Sequence, residues 1–132
     1  MAAAAARRVC LIRRILVVED DVAVGDLITD MLGAPAYEVE CVTSDQAAYR
    51  RLAQVKTIDA MIVDVNLGAG TTGFDVARFG RQQSPGLPVV YVSGDATESS
   101  FRAFGVPGSL FLEKPFTAEQ LQDAVELVLG DD

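Results

Sequence analysis

Four short polar clusters, each directly after an apolar run, hold the side chains with the most chemical potential in this chain. They are Glu19-Asp20-Asp21 after Ile15–Val18, Asp64-Val65-Asn66 after Ala60–Val63, Ser93-Gly94-Asp95 after Pro88–Val92, and Glu113-Lys114-Pro115 after Ser109–Leu112. Carboxylates gathered in one cleft repel and need a compensating cation to stay ionised. Mg²⁺ suits them, being a hard ion that takes carboxylate, water and phosphate oxygens in octahedral geometry. A carboxylate beside such an ion can attack phosphorus and form an acyl phosphate. The ion, the Lys114 ammonium and the Ser93 hydroxyl would then hold the three equatorial oxygens. Gly94 is small enough to leave room for that group, and Lys114-Pro115 suggests a rigid turn, with a cis peptide available, that aims the ammonium inward. The chain contains no histidine, which removes Ser-His and Cys-His nucleophile systems and the commonest transition-metal ligand.

These clusters converge only if the runs before them lie side by side. Five β-rich runs, the four above and Glu38–Val42, alternate with helical patterns, which predicts an α/β domain with a doubly wound five-stranded parallel sheet and five helices. The first and third runs are almost continuously apolar, as in central strands covered on both faces. Helix one is marked by Val24, Leu27, Ile28, Met31 and Leu32, with Gly33 and Pro35 as its stop. Helix two starts near Thr43 or Ser44 with Gln46 placed for a capping box, and sets Ala48, Leu52 and Val55 on one side. Helix three covers Phe74 to Gln83, and a short helix four covers Thr97 to Phe104. Helix five opens with a Thr117/Gln120 capping box and turns Ala118, Leu121, Val125, Val128 and Leu129 inward. In such a sheet ligands bind outside the carboxyl ends of the strands, where all four clusters fall. Each cluster alone has an ordinary explanation, a helix start, a turn or a surface charge. Their common edge is what points to a site.

With 132 residues the chain fits one domain. Half of the residues are hydrophobic, but no apolar run approaches the roughly 20 residues that span a bilayer, so a water-soluble, cytoplasmic protein with no membrane partner is expected. Eleven basic against nineteen acidic residues give a net charge of −8, which opposes direct nucleic-acid binding. Cys10 and Cys41 form neither a disulfide framework nor a spaced metal motif. Residues 1–13 read as an N-terminal tail, since the alanine run and arginines lack the order of a signal peptide. Met1 and the acidic Gly130-Asp131-Asp132 end favour a free-standing domain.

The segments Ile-Leu-Val-Val-Glu19-Asp20-Asp21, Ile-Val-Asp64-Val-Asn66, Val-Ser93-Gly94 and Glu-Lys114-Pro115-Phe116 occur in an order and spacing that resembles the receiver domain of bacterial two-component response regulators. The resemblance runs from Arg14 to Leu129 and implies a receiver domain over residues 14–130, with the flavodoxin-like strand order 2-1-3-4-5. It implies Asp64 as phosphoacceptor, with Glu19 and Asp20 as the acidic pair at Mg²⁺ and the Asn66 main-chain carbonyl as a further ligand. Ser93 and Lys114 would contact the phosphoryl group, and Phe111 would be the switch aromatic on strand five. The expected donor is a sensor histidine kinase or a histidine phosphotransfer protein, and the expected output surface is helix four, strand five and helix five. Such a domain is a signalling module, with self-catalysed phosphotransfer and autodephosphorylation but no enzyme activity.

Two features depart from the family pattern. Leu67-Gly-Ala-Gly-Thr-Thr-Gly73 replaces the usual proline-containing turn with one extra residue, and Gly73 is a candidate start for helix three. Phenylalanine at the switch position has no hydroxyl, so switching would rest on packing. Three rivals remain. An aspartyl-phosphate phosphatase of the haloacid dehalogenase type would place an acid where Asn66 stands, a flavodoxin-like FMN binder would want a glycine- and hydroxyl-rich first loop, and a degenerate receiver used for interaction would lack site residues that are present here.

Overall fold

The computed structural model describes residues 12–33, 36–68, 71–95 and 98–130. The tail up to Leu11, Cys10, Pro35, Ala69, Gly70, Thr97 and Asp131-Asp132 lie outside those residues. Five strands, β1 (Arg13–Val18), β2 (Tyr37–Val42), β3 (Ala60–Asp64), β4 (Val89–Ser93) and β5 (Leu110–Glu113), form one parallel sheet in the order β2-β1-β3-β4-β5. The helices are α1 (Val22–Leu32), α2 (Asp45–Leu52), α3 (Gly73–Gln83), α4 (Glu98–Phe104) and α5 (Ala118–Leu129).

Alternation along the strands divides the core in two, because successive side chains point to opposite faces. Leu16, Val18, Met61, Val63, Val89 and Tyr91 face Ala48 and Leu52 of α2 and Phe74, Val76 and Ala77 of α3. Ile15, Val17, Ala60, Ile62, Val90 and Val92 face Ile28 and Leu32 of α1 and Leu121, Ala124 and Val125 of α5. β1, β3 and β4 are thus covered on both sides, which explains their unbroken apolar runs. The edge strand β2 has no fully buried residue.

Several local expectations change. Ser44, not Thr43, caps α2 and accepts the N–H of Ala47, so Gln46 is one position too early for the expected capping box. The helix ends at Leu52, and Val55 is fully exposed rather than on the apolar side. Arg51 explains the early stop: its Nη1 donates to the Lys56 carbonyl at 3.1 Å and its Nε to Glu40 at 2.8 Å, folding the following turn back over the helix end. Leu27, expected inside, is half exposed because the buried face of α1 is Gly25, Ile28 and Leu32. The Thr117/Gln120 capping box at α5 is formed as expected.

Candidate functional site

Parallel pairing sets the ends of β1, β3, β4 and β5 along one edge. Val18 is level with Val63, Asp64 with Val92, and Ser93 with Glu113. The residues that follow β1 and end β3 and β4 therefore surround a common hollow of about 380 Å³, which Lys114 borders from the β5 side. Asp64 and Glu19 are 5% and 3% exposed, Ser93 is fully buried, and Asp20 projects into solvent at the rim.

The three acids of the expected metal set come together: one oxygen each from Glu19, Asp20 and Asp64 lies within 4.8 Å of the other two. Lys114 Nζ donates to Asp64 Oδ2 at 2.8 Å and to Glu19 Oε1 at 2.9 Å. The Asn66 N–H donates to the other Asp64 oxygen at 2.8 Å, so both carboxylate oxygens are oriented. Its part in the geometry shown is this amide, while Asn66 also borders the hollow where a carbonyl ligand was expected. Ser93 Oγ accepts the N–H of Asp95 at 3.1 Å. Gly94 borders the hollow, and a Cβ there would meet Lys114 Cβ at an ordinary 3.8 Å, so no protein atom requires glycine at this position. The Lys114-Pro115 peptide is cis, as the sequence allowed.

Negative charge outweighs positive in this cluster. Burial pushes Glu19 from its ordinary 4.5 up to about 7; the Lys114 hydrogen bond opposes this, the Asp64 carboxylate adds to it, and the Asp21 N–H opposes it. Burial by itself would lower the Lys114 ammonium, but its bonds to Asp64 and Glu19 and their charges outweigh this and raise it. One ammonium faces three carboxylates. These are hard oxygen donors close enough to share one small cation, so the residues fit Mg²⁺.

The Glu19-Asp20-Asp21 run divides its labour. Asp21 turns away as the cap of α1, accepting the N–H groups of Ala23 and Val24. The β3–α3 loop, whose path the sequence left open, is tied at both ends. Gly73 N–H donates to the Val65 carbonyl at 2.7 Å, and Thr71 Oγ1 donates to Asp45 of α2 at 2.9 Å. Gly73 begins α3 against the main chain of Asp64: a Cβ there would collide with the Asp64 carbonyl oxygen and lie 2.9 Å from its carbon. Gly68 takes a positive φ of 70°, which glycine adopts without penalty. Gly73 opens α3 as the sequence suggested, whereas its contact with the Asp64 main chain and the turn at Gly68 were not legible in a segment that otherwise reads as flexible. Phe111 is half-buried on β5, its ring stacked on Phe101 of α4 at 5.6 Å.

Similarity to other proteins agrees with this arrangement. The family model of the response regulator receiver domain matches residues 15–126. The chain is 30% identical to Regulatory protein VirG of Agrobacterium tumefaciens over 120 residues, covering 89% of this chain and 44% of that protein. It is 31% identical over 118 residues to Regulatory protein VanRB of Enterococcus faecalis, covering 88% of this chain and 52% of the other. The chain thus spans about half the length of these relatives. Among solved structures, a response regulator receiver protein from Sinorhizobium medicae superposes with a TM-score of 0.84 at 32% identity, covering 89% of this chain and 94% of the other. No helix among the described residues is long and apolar enough to cross a membrane. The chain belongs to the response regulator receiver domain family, the signalling module of two-component systems.

Proposed function

We propose that residues 14–130 form a receiver domain that accepts a phosphoryl group on Asp64 from the phosphohistidine of a sensor kinase or a histidine phosphotransfer protein. The observation that carries this reading is the buried Asp64 carboxylate held between the Lys114 ammonium and the Asn66 N–H, with Glu19 and Asp20 beside it. An Asp64 oxygen attacks phosphorus, the P–N bond to the donor breaks with its electron pair leaving on the imidazole, and an acyl phosphate remains. Lys114 keeps its charge throughout and moves from the carboxylate to a phosphoryl oxygen. The Ser93 hydroxyl, on the buried lining of the hollow, donates to a second. A Mg²⁺ ion held by Glu19, Asp20, Asp64 and the Asn66 main-chain carbonyl would supply the charge that offsets the remaining negative oxygens. Movement of Ser93 toward the phosphoryl group opens space for Phe111 and reshapes the surface of α4, β5 and α5, where an effector binds. The domain signals and does not turn over a separate substrate. Its net charge of −8 argues against direct nucleic-acid contact, and a cytoplasmic location follows from the donor it needs.

The test is incubation with a small phosphodonor and Mg²⁺, read by intact mass. One phosphoryl group is expected on the wild type and none on Asp64→Ala. An unchanged phosphorylated fraction in the variant would overturn the assignment, as would modification mapped to Asp20 or Asp95.

A further inference from the structure

Helix α4 is attached differently from every other described helix: none of its residues is buried. Two of its rings, one helical turn apart, straddle a buried aromatic pair. Phe104 lies 5.8 Å from Phe74, Phe101 lies 5.9 Å from Tyr91, and Phe74 and Tyr91 are 5.0 Å apart. Phe101 then stacks on Phe111 of β5. Open hollows flank the helix, about 440 Å³ toward α3 and about 640 Å³ toward β5. α4 can therefore shift without compressing a close-packed core.

The other end of this column rests on the phosphoacceptor. Phe74 follows Gly73, which is pressed against the Asp64 main chain and bonded to the Val65 carbonyl. In the middle, Tyr91 is fully buried, and its hydroxyl accepts the N–H of Val106 at 3.1 Å, in the segment leading from α4 back to β5. A residue that only filled core volume would need no such bond, and the other apolar positions of β4 are valines. Tyr91 thus touches the start of α3, the body of α4 and the exit from α4.

We propose that Tyr91 is a positioning residue that couples the start of α3, seated on Asp64, to α4 and Phe111 through contiguous ring contacts, by a route separate from Ser93. The trigger rests on Asp64 being the phosphoacceptor, as argued above; the coupling does not. Amide spectra of the wild type with Mg²⁺ and beryllofluoride, a phosphoryl mimic, should shift both at Asp64–Gly68 and Lys114 and across α4. In Tyr91→Leu the pocket shifts should persist while those of α4 shrink to the part that the Ser93 route carries. Tyr91→Phe, which keeps the ring, should restore them. Phe101→Leu, at a half-buried ring, should repeat the loss should Tyr91→Leu fold poorly. Wild-type α4 shifts in Tyr91→Leu, or in Phe101→Leu where that variant stands in, would overturn the proposal. Absent pocket shifts in the wild type would instead refute the Asp64 reading. The coupling is then decided without any mimic, by the cycle of Phe74→Leu and Phe101→Leu, residues joined through Tyr91. Unfolding constants non-additive by more than about twofold are expected, and additivity would overturn the proposal.

Discussion

α3 and α4 flank the same face of the sheet and are opposites in how they are held. α3 buries Gly73, Phe74, Val76, Ala77 and Gly80, while α4 buries no residue and packs two of its rings against Phe74 and Tyr91. The first belongs to the frame that fixes the site. The second has few buried apolar contacts to lose, and local opening costs least where such contacts are few. On the coupling proposed above, the difference says where a signal would leave the site: along the anchored start of α3 and into the weakly anchored α4.

The largest effect expected from this contrast is at Phe74. Phe74→Ala removes a buried ring shared by both helices and should cost about 3–5 kcal/mol of stability by denaturant unfolding. A cost comparable to that of a surface change would mean α3 is no better anchored than α4. Gly73→Ala comes next. It forces a methyl group into the Asp64 main chain and should cost about 1–3 kcal/mol, with amide shifts centred on residues 64–68. Shifts confined to α3 itself would show that the helix start does not bear on Asp64.

Mg²⁺ should stabilise the frame and leave α4 alone. At about 100 times Kd the gain is about 2.7 kcal/mol by mass action, seen as a raised melting temperature. The gain should depend on pH through Glu19, whose folded pKa of about 7 lies above the ordinary 4.5. A raised carboxyl contributes stability that is full below its unfolded pKa and lost as pH rises through the folded one. The metal-free protein should therefore weaken between about pH 4.5 and 7. Mg²⁺ binds the ionised form, so its stabilisation should grow over that window. A melting temperature indifferent to millimolar Mg²⁺ at pH 8 would count against the metal site. The smallest effect is at Phe104, which is 57% exposed. Phe104→Ala should change stability by no more than about 0.5 kcal/mol, and α4 amides should exchange faster than those of α3. Equal protection of the two helices would remove the contrast.

The sheet and the polar residues at its edge were legible in the chain because both obey local rules. Val, Ile and Leu runs such as Ile15–Val18 and Met61–Val63 specify doubly covered strands, and parallel connection then brings their carboxyl ends together, with Glu19, Asp64, Ser93 and Lys114 at the same edge. The Thr117/Gln120 cap was legible for the same reason, being a pattern four residues long. Errors arose where distant groups decided a local question. α2 stops at Leu52 because Arg51 bonds Glu40 of a neighbouring strand and a carbonyl beyond the helix, so periodicity carried Val55 too far.

The role of Gly73 depends on the Asp64 main chain lying against it, and the tie from Thr71 to Asp45 spans 26 residues of sequence. The aromatic column joins residues from β4, β5, α3 and α4, whose rings meet only once the sheet has formed. The amino-acid sequence by itself thus determined the fold class, the strand order through its family resemblance, and the set of candidate site residues. The tertiary structure alone decided which oxygen faces which donor, how the glycine loop is fastened and how loosely α4 is held. The physical reason is range. Propensity, capping and alternation act over a few residues, whereas ion pairs, ring contacts and steric limits on a Cβ depend on groups that only the completed fold brings within a few ångströms.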